Sequence, residues 1–431
     1  MDGETGEVLW SRHYASSDGL NEAALAISHD SQNNAYVTGR AAVGTQGDQM
    51  LTMKLDAGDG HIVWIDHRGG DAGLDDIAWD IVVGPDDNPV VTGYVVSDSG
   101  DAVCLTRKLS HTNGDVIWSR QVPGAVDNNT VRSSWLALMD NGDVVMCQRS
   151  WGSGYDTILQ RYAAGDGDIV WETVYDGPTG GGDDPKAMER DLAGDLLVAG
   201  VQDIDFNFNF MVLKFDSGDG SLLWEADGYD GPGGGWWDVA TCIAEGPSGT
   251  VIVSGLSDGS STGTSWDMTT VGYDPAMGEE LWVHRWDGPA GTSDEVRDLA
   301  VNAAGDIFVT GYGYDEYSGK DMVTLCLEVP VTSPVAELPE MAAGMRAWPN
   351  PFNPRVNFDL DLPRTANIRL AIFDLRGRQV TVLLDERLEP GTHRTHWDGR
   401  SDDGRSVASG IYMAIMDNGR ERSSRKIVLQ K

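Results

Sequence analysis

The sequence is poor in cysteine, in basic residues and in long apolar runs, and each shortage excludes something. Four cysteines, Cys104, Cys147, Cys242 and Cys326, stand in 431 residues. They lie 43, 95 and 84 residues apart, so no CxxC pair and no zinc-ligand spacing exists. Each sits in an apolar, strand-like run, where a free thiol behaves as a small buried hydrophobe. No stretch of 18 or more apolar residues occurs, which excludes a helical membrane span. The first residues show no basic segment leading into an apolar run, so no secretory signal is expected within them. A trimmed signal and missing upstream repeats are both compatible with that start.

Lys and Arg number 31 against 68 Asp and Glu, a net charge of −37. Residues 334–431 hold 13 of the acids and 15 of the bases, so residues 1–333 carry −39. A surface this acidic repels phosphate backbones and argues against nucleic acid as a partner. It keeps a chain soluble in salt and also attracts divalent cations. Enzyme signatures are missing too: there is no HExxH, no GxSxG and no P-loop lysine pattern. The glycine-rich GPGGGWW at 231–237 precedes a strand rather than a helix, so it lacks a phosphate-binding context.

What is abundant is glycine, 54 residues, well above the usual share of about 7%. It marks a turn-rich, all-β chain. The opening phrase MDGETGEVLW returns five more times, and its tryptophans, Trp10, Trp64, Trp118, Trp171, Trp224 and Trp282, are spaced 54, 54, 53, 53 and 58 residues apart. After Trp64 the unit reads DDIAWDIVVG, NPVVTGYVV, DAVCLTRKLS and GDVIWSRQV. These are short runs of Val, Ile, Thr and aromatics bounded by turn residues, the signature of strands. PDDN and SHTNG between them suit hairpins. A four-stranded antiparallel sheet has two faces to cover, and six packed radially cover one another, which predicts a six-bladed β-propeller over residues 1–328. A straight stack would need capping repeats, and none is visible. We letter the strands of each unit A to D, with the Trp strand as the outermost, D. The last unit supplies A, B and C and then ends, while the N-terminus supplies a lone D. The expectation is that this N-terminal outer strand pairs beside residues 321–328 and closes the last blade.

Other positions keep the period. Strand B carries Gly39, Gly93, Gly200, Gly255 and Gly311, with Cys147 in the third slot. Strand C begins with Asp48, Asp101, Asp156, Asn209, Asp267 and Asp321, and strand A with Asn21, Asp76, Thr130, Asp184, Asp238 and Asp294. Short polar side chains at strand starts cap their own turns. Ring symmetry offers a second reading, in which Asp76, Asp184, Asp238 and Asp294 surround one channel mouth and hold a cation such as calcium. The recurring DxGDG (Asp56 to Gly60, Asp216 to Gly220) lacks the alternating ligands and distal Glu of a calcium loop and reads as a tight turn. No cofactor is firmly predicted.

In an antiparallel blade the D–A and B–C connections share one end, and here they are long and varied: GPTGGGDD (177–184), GPGGGWW (231–237), SWGSGY (150–155), DIDFNF (203–208) and YGYDEYSG (312–319). Variable loops on a rigid scaffold are where binding sites lie. They carry Trp151, Tyr155, Phe206, Trp236, Trp237, Trp266, Tyr314 and Tyr317, which suit stacking on sugar rings or gripping a protein; covering blade edges is the plainer alternative. Asp183 with Asp184, or Asp75 with Asp76, offer paired carboxylates for work on glycosides. Sequence neighbours on a strand point to opposite faces, so neither pair makes a good dyad, and no catalytic residue is assigned.

Residues 282–328, WVHRWDGPAGTSDEVRDLAVNAAGDIFVTGYGYDEYSGKDMVTLCLE, closely resemble the SBBP-type β-propeller repeats of secreted bacterial proteins. The GxxxW phrase is similar in part to the tryptophan-docking motif of pyrroloquinoline-quinone propellers, but no vicinal cysteine pair accompanies it. Beyond Glu328 a Pro- and Ala-rich linker (329–345) leads to strand-like runs over 346–431 at the spacing of an immunoglobulin-like β-sandwich. WPNPFNP (348–354), IFDLRGRQV (372–380), PGTHRTHWDGRSDDGRSVASGIY (390–412) and the terminal KIVLQK resemble the flagellar hook-cap immunoglobulin-like domain and the type A C-terminal sorting domain of the type IX secretion system. That resemblance implies export, a surface or extracellular life, and the secretion machinery as a partner. It makes Lys426, Ile427, Val428, Leu429 and Lys431 the candidate sorting motif. The combined expectation is a secreted or cell-surface, non-catalytic binding or adhesion module that recognises carbohydrate or protein through the long loops. The alternative is a polysaccharide-active hydrolase or lyase using carboxylates on the same face.

Overall fold

Turn residues decide where each strand of this chain stops. In the computed structural model, the residues described are 7–16, 22–42, 47–69, 76–96, 102–122, 134–151, 155–204, 206–232, 237–259, 265–288, 291–315, 319–327, 344–348, 352–362, 366–374, 378–389, 391–401, 404–417 and 422–429. The chain divides into two compact units, Met1–Val329 and Pro330–Lys431.

The first unit is built of repeated antiparallel sheets, in each of which the strands lie in sequence order. Five are four-stranded: Glu22–Arg68, Ile77–Val122, Ser134–Tyr175, Asp183–Glu225 and Asp238–Trp286. A sixth, Glu295–Leu327, has three strands among the described residues. Strand A of each sheet packs on strand A of the next, so the arrangement is propeller-like. The core lies between sheets. In strand B of the fourth sheet, Leu196 and Val198 pack toward the third sheet, while Leu197 and Ala199 pack toward the fifth. Alternate residues of a strand face opposite ways, so a strand buried on both faces is apolar throughout.

The strand-B glycines answer to a bulge. In five sheets strand A has a register shift, for example between Pro185 and Ala187, that pushes its backbone toward strand B. A Cβ at Gly200 would lie 2.2 Å from the Asp184 carbonyl oxygen. The register corrects the third slot: Gln148, not Cys147, holds the glycine's place, opposite Ser134 in a sheet with no shift, and there a side chain is tolerated.

At the short-turn end, each C–D turn carries a seat for the previous sheet's tryptophan. The Trp64 indole donates to the His111 carbonyl at 3.1 Å, Trp118 to Ala164 at 3.3 Å, Trp171 to Ser217 at 3.1 Å and Trp224 to Pro275 at 3.0 Å. Each ring lies against the turn glycine of the next sheet. A Cβ on Gly220, whose φ is +75°, would fall 2.6 Å from the Trp171 ring. The GxxxW phrase is therefore a relay in which the glycine seats one tryptophan and the tryptophan four residues on docks to the next sheet. Buried cations reinforce the same end: Lys54 pairs with Asp30 at 3.0 Å, Arg161 with Asp143 at 2.8 Å and Lys214 with Asp191 at 2.6 Å.

The N-terminal strand expected beside residues 321–328 is not formed among the described residues. Residues 7–16 contain no strand, and Gly319–Leu327 has no fourth neighbour. Trp10 instead donates to the Ala57 carbonyl at 3.0 Å and lies against Gly60, so it docks on the first sheet as Trp64 docks on the second. Among the described residues no strand of the sixth sheet packs on the first as strands of successive sheets do, and Ile27 and Met322 stand exposed.

The second unit is a two-sheet β domain. One sheet holds Gly344–Trp348, Val356–Leu362 and Gly391–Trp397; the other holds Gln379–Leu388, Ala366–Asp374, Gly410–Asp417 and Arg422–Leu429. Ile368, Leu370 and Ile372 alternate into a core shared with Phe358, Leu360, Trp397, Tyr412, Ile427 and Leu429.

Candidate functional site

The end opposite the tryptophan seats, where the D–A and B–C connections lie, collects acids that the chain does not neutralise. At the junction of the fifth and sixth sheets, Asp267 opens strand C, Asp287 follows strand D and Asp294 precedes strand A. Each offers a carboxylate oxygen within 4.8 Å of the other two. Asp294 is fully buried; its Oδ2 accepts the Gly288 amide at 2.7 Å, and its Oδ1 makes no well-aligned hydrogen bond, although the Tyr314 amide is nearby. Asp267 is buried against Arg285 at 2.8 Å, and Asp287 is exposed. Burial, with the neighbouring charges of Asp287 and Asp267, raises the Asp294 carboxyl above its ordinary range against the pull of the Gly288 and Tyr314 amides.

The repeat copies the residue types but not the convergence, which among the described residues of this end is met by Asp267, Asp287 and Asp294 alone. Between the third and fourth sheets stand Asp156, Asp176 and Asp183. Asp183 is fully buried, with Oδ2 on the Gly177 amide at 2.6 Å and Oδ1 unpartnered; Asp156 is buried with its own Oδ1 unpartnered. Burial, reinforced by Asp176 and Asp156, pushes Asp183 up to about 6. Between the fourth and fifth sheets, Asn209, Asp230 and Asp238 occupy the same positions, and again the buried Asp238 Oδ1 and Asn209 Oδ1 lack partners.

The expected metal set is therefore distributed differently. Asp76, Asp184, Asp238 and Asp294 do not gather at one mouth; no three of them come within ligand distance of one another among the described residues. Asp76 accepts the Val96 amide at 2.7 Å, a turn contact. Asp184 pairs with Arg149 at 2.9 Å and Lys186 at 2.6 Å. The counterpart of Asp76, Asp238 and Asp294 is Asp183, because Gly200 abuts the Asp184 carbonyl as Gly93 abuts that of Ile77. One residue of register moves a side chain to the other face. The strand-C acids, read as turn caps, belong to the clusters, and Asp176, Asp230 and Asp287 were not singled out. The signal for them is a recurring aromatic-Asp-Gly-Pro with a buried aspartate seven or eight residues on. A further trio, Asp56, Asp59 and His61, lies at the other end on an exposed turn. There Asp56 Oδ1 accepts the Gly58 amide and Asp59 Oδ1 the His61 amide, the contacts of a tight turn.

The aromatics share the long-loop end but not one patch. Phe206 is 88% exposed at φ +68° and Trp237 is 46% exposed; Phe208, two residues after Phe206, stacks on Trp237 at 4.4 Å and 18°. A bridge between Phe208 and Trp237 ties a B–C loop to the next D–A loop. Tyr314 stands edge-on to Tyr312 at 6.3 Å, with Lys320 3.2 Å from the Tyr312 ring centre. Tyr155 is half-buried beneath Arg149, 4.1 Å from its ring centre. Trp266 is half-buried, its carbonyl accepting the Asp294 amide. Trp151 pairs with Tyr155 across the B–C hairpin. Trp236 and Tyr317 lie outside the described residues. In the sorting segment, Ile427 and Leu429 are core residues and Val428 is half-buried. Lys426 lies in the same strand, and Lys431 is outside the described residues.

Residues 1–265 match the family model described as outer membrane protein assembly factor BamB, and residues 346–430 match the secretion system C-terminal sorting domain. No curated protein matches the chain in sequence. Several solved structures are similar. PorZ, a surface component of the type IX secretion system of Porphyromonas gingivalis, shares 14% identity over 95% of this chain and 51% of its own, with a TM-score of 0.37. BamB from Moraxella catarrhalis shares 13% over 78% and 80%, with a TM-score of 0.34. A glucose dehydrogenase shares 10% over 72% and 97%, with a TM-score of 0.39. The chain thus spans about half the length of the PorZ structure, and likenesses of this degree carry no argument about activity. The sorting domain gives the protein an extracellular or cell-surface location and an interaction with the secretion machinery. No helix among the described residues is long and apolar enough to cross a membrane.

Proposed function

The chain belongs to the family described as outer membrane protein assembly factor BamB, and from that premise we propose that it is an exported propeller module that binds carbohydrate or protein through its long-loop end without turnover. The observation that supports this most is the Phe208–Trp237 stack, an aromatic surface fixed across two sheets, with the exposed Phe206 two residues from Phe208 in sequence. Rigid aromatic faces held on a scaffold stack on sugars and anchor protein partners. The finer architecture forms part of the proposal: a closed six-bladed ring, supported by the seat of Trp10, and an immunoglobulin-like topology for residues 346–431. Calcium is the cation that the all-oxygen clusters suit.

A second reading, a polysaccharide-active hydrolase or lyase, is favoured by the carboxylate clusters at the same end, where Asp183 is held protonated up to about pH 6 by burial. General acids are tuned in this way. Incubation of the full chain with a panel of polysaccharides separates the two. Retention without new reducing or unsaturated ends is the expected outcome; release of either overturns the binding reading in favour of the enzyme.

A further inference from the structure

The two ends of the propeller unit treat buried acids in opposite ways. At the short-turn end, Asp30, Asp143 and Asp191 each face a Lys or Arg within 3.0 Å. At the long-loop end, Asp156, Asp183, Asp238 and Asp294 are buried with an unpartnered oxygen each, and Arg285 on Asp267 is the cation described beside the Asp294 cluster. Placing an isolated carboxylate in a buried site costs several kcal/mol unless an opposite charge meets it. The acids are also converged: three carboxylate oxygens approach one another between the fifth and sixth sheets, where like charges would drive them apart without something between them.

We propose that calcium binds between Asp267, Asp287 and Asp294, the acids at this end that converge on one point among the described residues. The donors are all oxygen, which selects a hard cation. Three carboxylates from separate strands with an exposed member suit the flexible, many-oxygen shell of calcium better than the compact octahedron of magnesium. The exposed Asp287 gives the ion a way in, and the buried Asp294 supplies the unused oxygen. Space is kept for it: a Cβ at Gly313 would come within 2.5 Å of Asp294 Oδ1. The ion would clasp the end of the fifth sheet to the start of the sixth, as the tryptophans clasp sheets at the opposite end. The junctions with Asp183 and Asp238 lack that convergence and take no comparable ion. This holds whether or not the loops above bind carbohydrate.

The test is calcium titration of the full chain, stripped with chelator, by calorimetry at neutral pH, paired with terbium luminescence. Trp286 reports the site, because its ring and Asp294 Oδ1 both lie within 3.2 Å of the point where a Gly313 Cβ would sit. One calcium ion is expected at this site. Asp294→Asn keeps the amide contact that the aspartate makes and should weaken the site by about tenfold or more, whereas Asp183→Asn should leave it unchanged. Trp286→Phe should keep calcium binding while losing most terbium emission. Absence of calcium binding at millimolar concentration overturns the proposal. So does binding that ignores Asp294→Asn, or that is lost instead on Asp59→Asn at the exposed turn.

Discussion

Trp171→Ala tests the docking relay. The Trp171 side chain is buried between the third and fourth sheets, its indole bonded to the Ser217 carbonyl at 3.1 Å and its ring against Gly220. Truncating a buried aromatic to alanine costs about 3–5 kcal/mol. The Ser217 carbonyl would not be orphaned, because Arg161 also donates to it at 2.7 Å, so the loss is mainly packing. Trp171→Phe keeps most of the contact and removes the donor, a cost of about 1 kcal/mol. Trp282, the fifth-sheet counterpart, is half-buried and makes no docking bond among the described residues; its ring lies over Gly272 in its own sheet. Trp282→Ala should therefore cost much less. For the unit Met1–Val329 the alanine change at 171 corresponds to a fall in melting temperature of about 4–7 °C. The assay is thermal unfolding followed by Trp fluorescence and by calorimetry, so that the propeller and C-terminal transitions are resolved separately. Equal losses for Trp171→Ala and Trp282→Ala, or no loss at 171, would refute the relay as what holds successive sheets together.

Other consequences are as direct. Gly220→Ala should destabilise the same junction, because a side chain at φ +75° is strained and its Cβ would meet the Trp171 ring; a melting temperature equal to wild type would count against the seat. In chelator, stability should fall as pH rises from about 4 to 7. Burial raises Asp183 to about 6 and Glu189 to about 7, so the folded chain holds those protons more tightly than the unfolded one. Their contribution is complete below the ordinary carboxylate range and is lost as pH climbs through the raised values. Asp183→Asn should flatten that slope, which urea titrations across the range would show. Ile427→Asp should unfold the C-terminal unit, where Ile427 is fully buried, and block export while leaving the propeller transition in place; undiminished export would sink the claim that this strand must be folded to be read.

Much of the fold is legible in the sequence because its period is strict. The Trp spacing, the strand-B glycines and the four short apolar runs per unit each correspond to one repeated contact. Glycine at 39, 93, 200, 255 and 311 marks a bulge in the partner strand, and Gln148, one residue beyond the expected Cys147, marks the sheet without one. The N-terminus was harder to read. A lone Trp strand predicts a pairing partner, yet the seat of Trp10 is defined by the turn of the first sheet, a tertiary contact that spacing alone does not specify. The acids were half legible. Their periodicity is plain, but Asp183 and Asp184 are both aspartates, and only the register against Gly200 tells which one turns inward. Asp176 and Asp287 look like ordinary turn residues until the buried carboxylates beside them are seen to lack partners.

The account's central functional claim is tested most directly by binding of the full chain to immobilised glycans and surface proteins, compared with the Phe206→Ala/Trp237→Ala double variant. Both side chains are exposed, so the variant should stay folded, losing the Phe208–Trp237 stack at a cost of about 1 kcal/mol. The account predicts binding without product release, lost in the double variant. Undiminished binding by the variant, or release of cleaved product by the wild type, would contradict it.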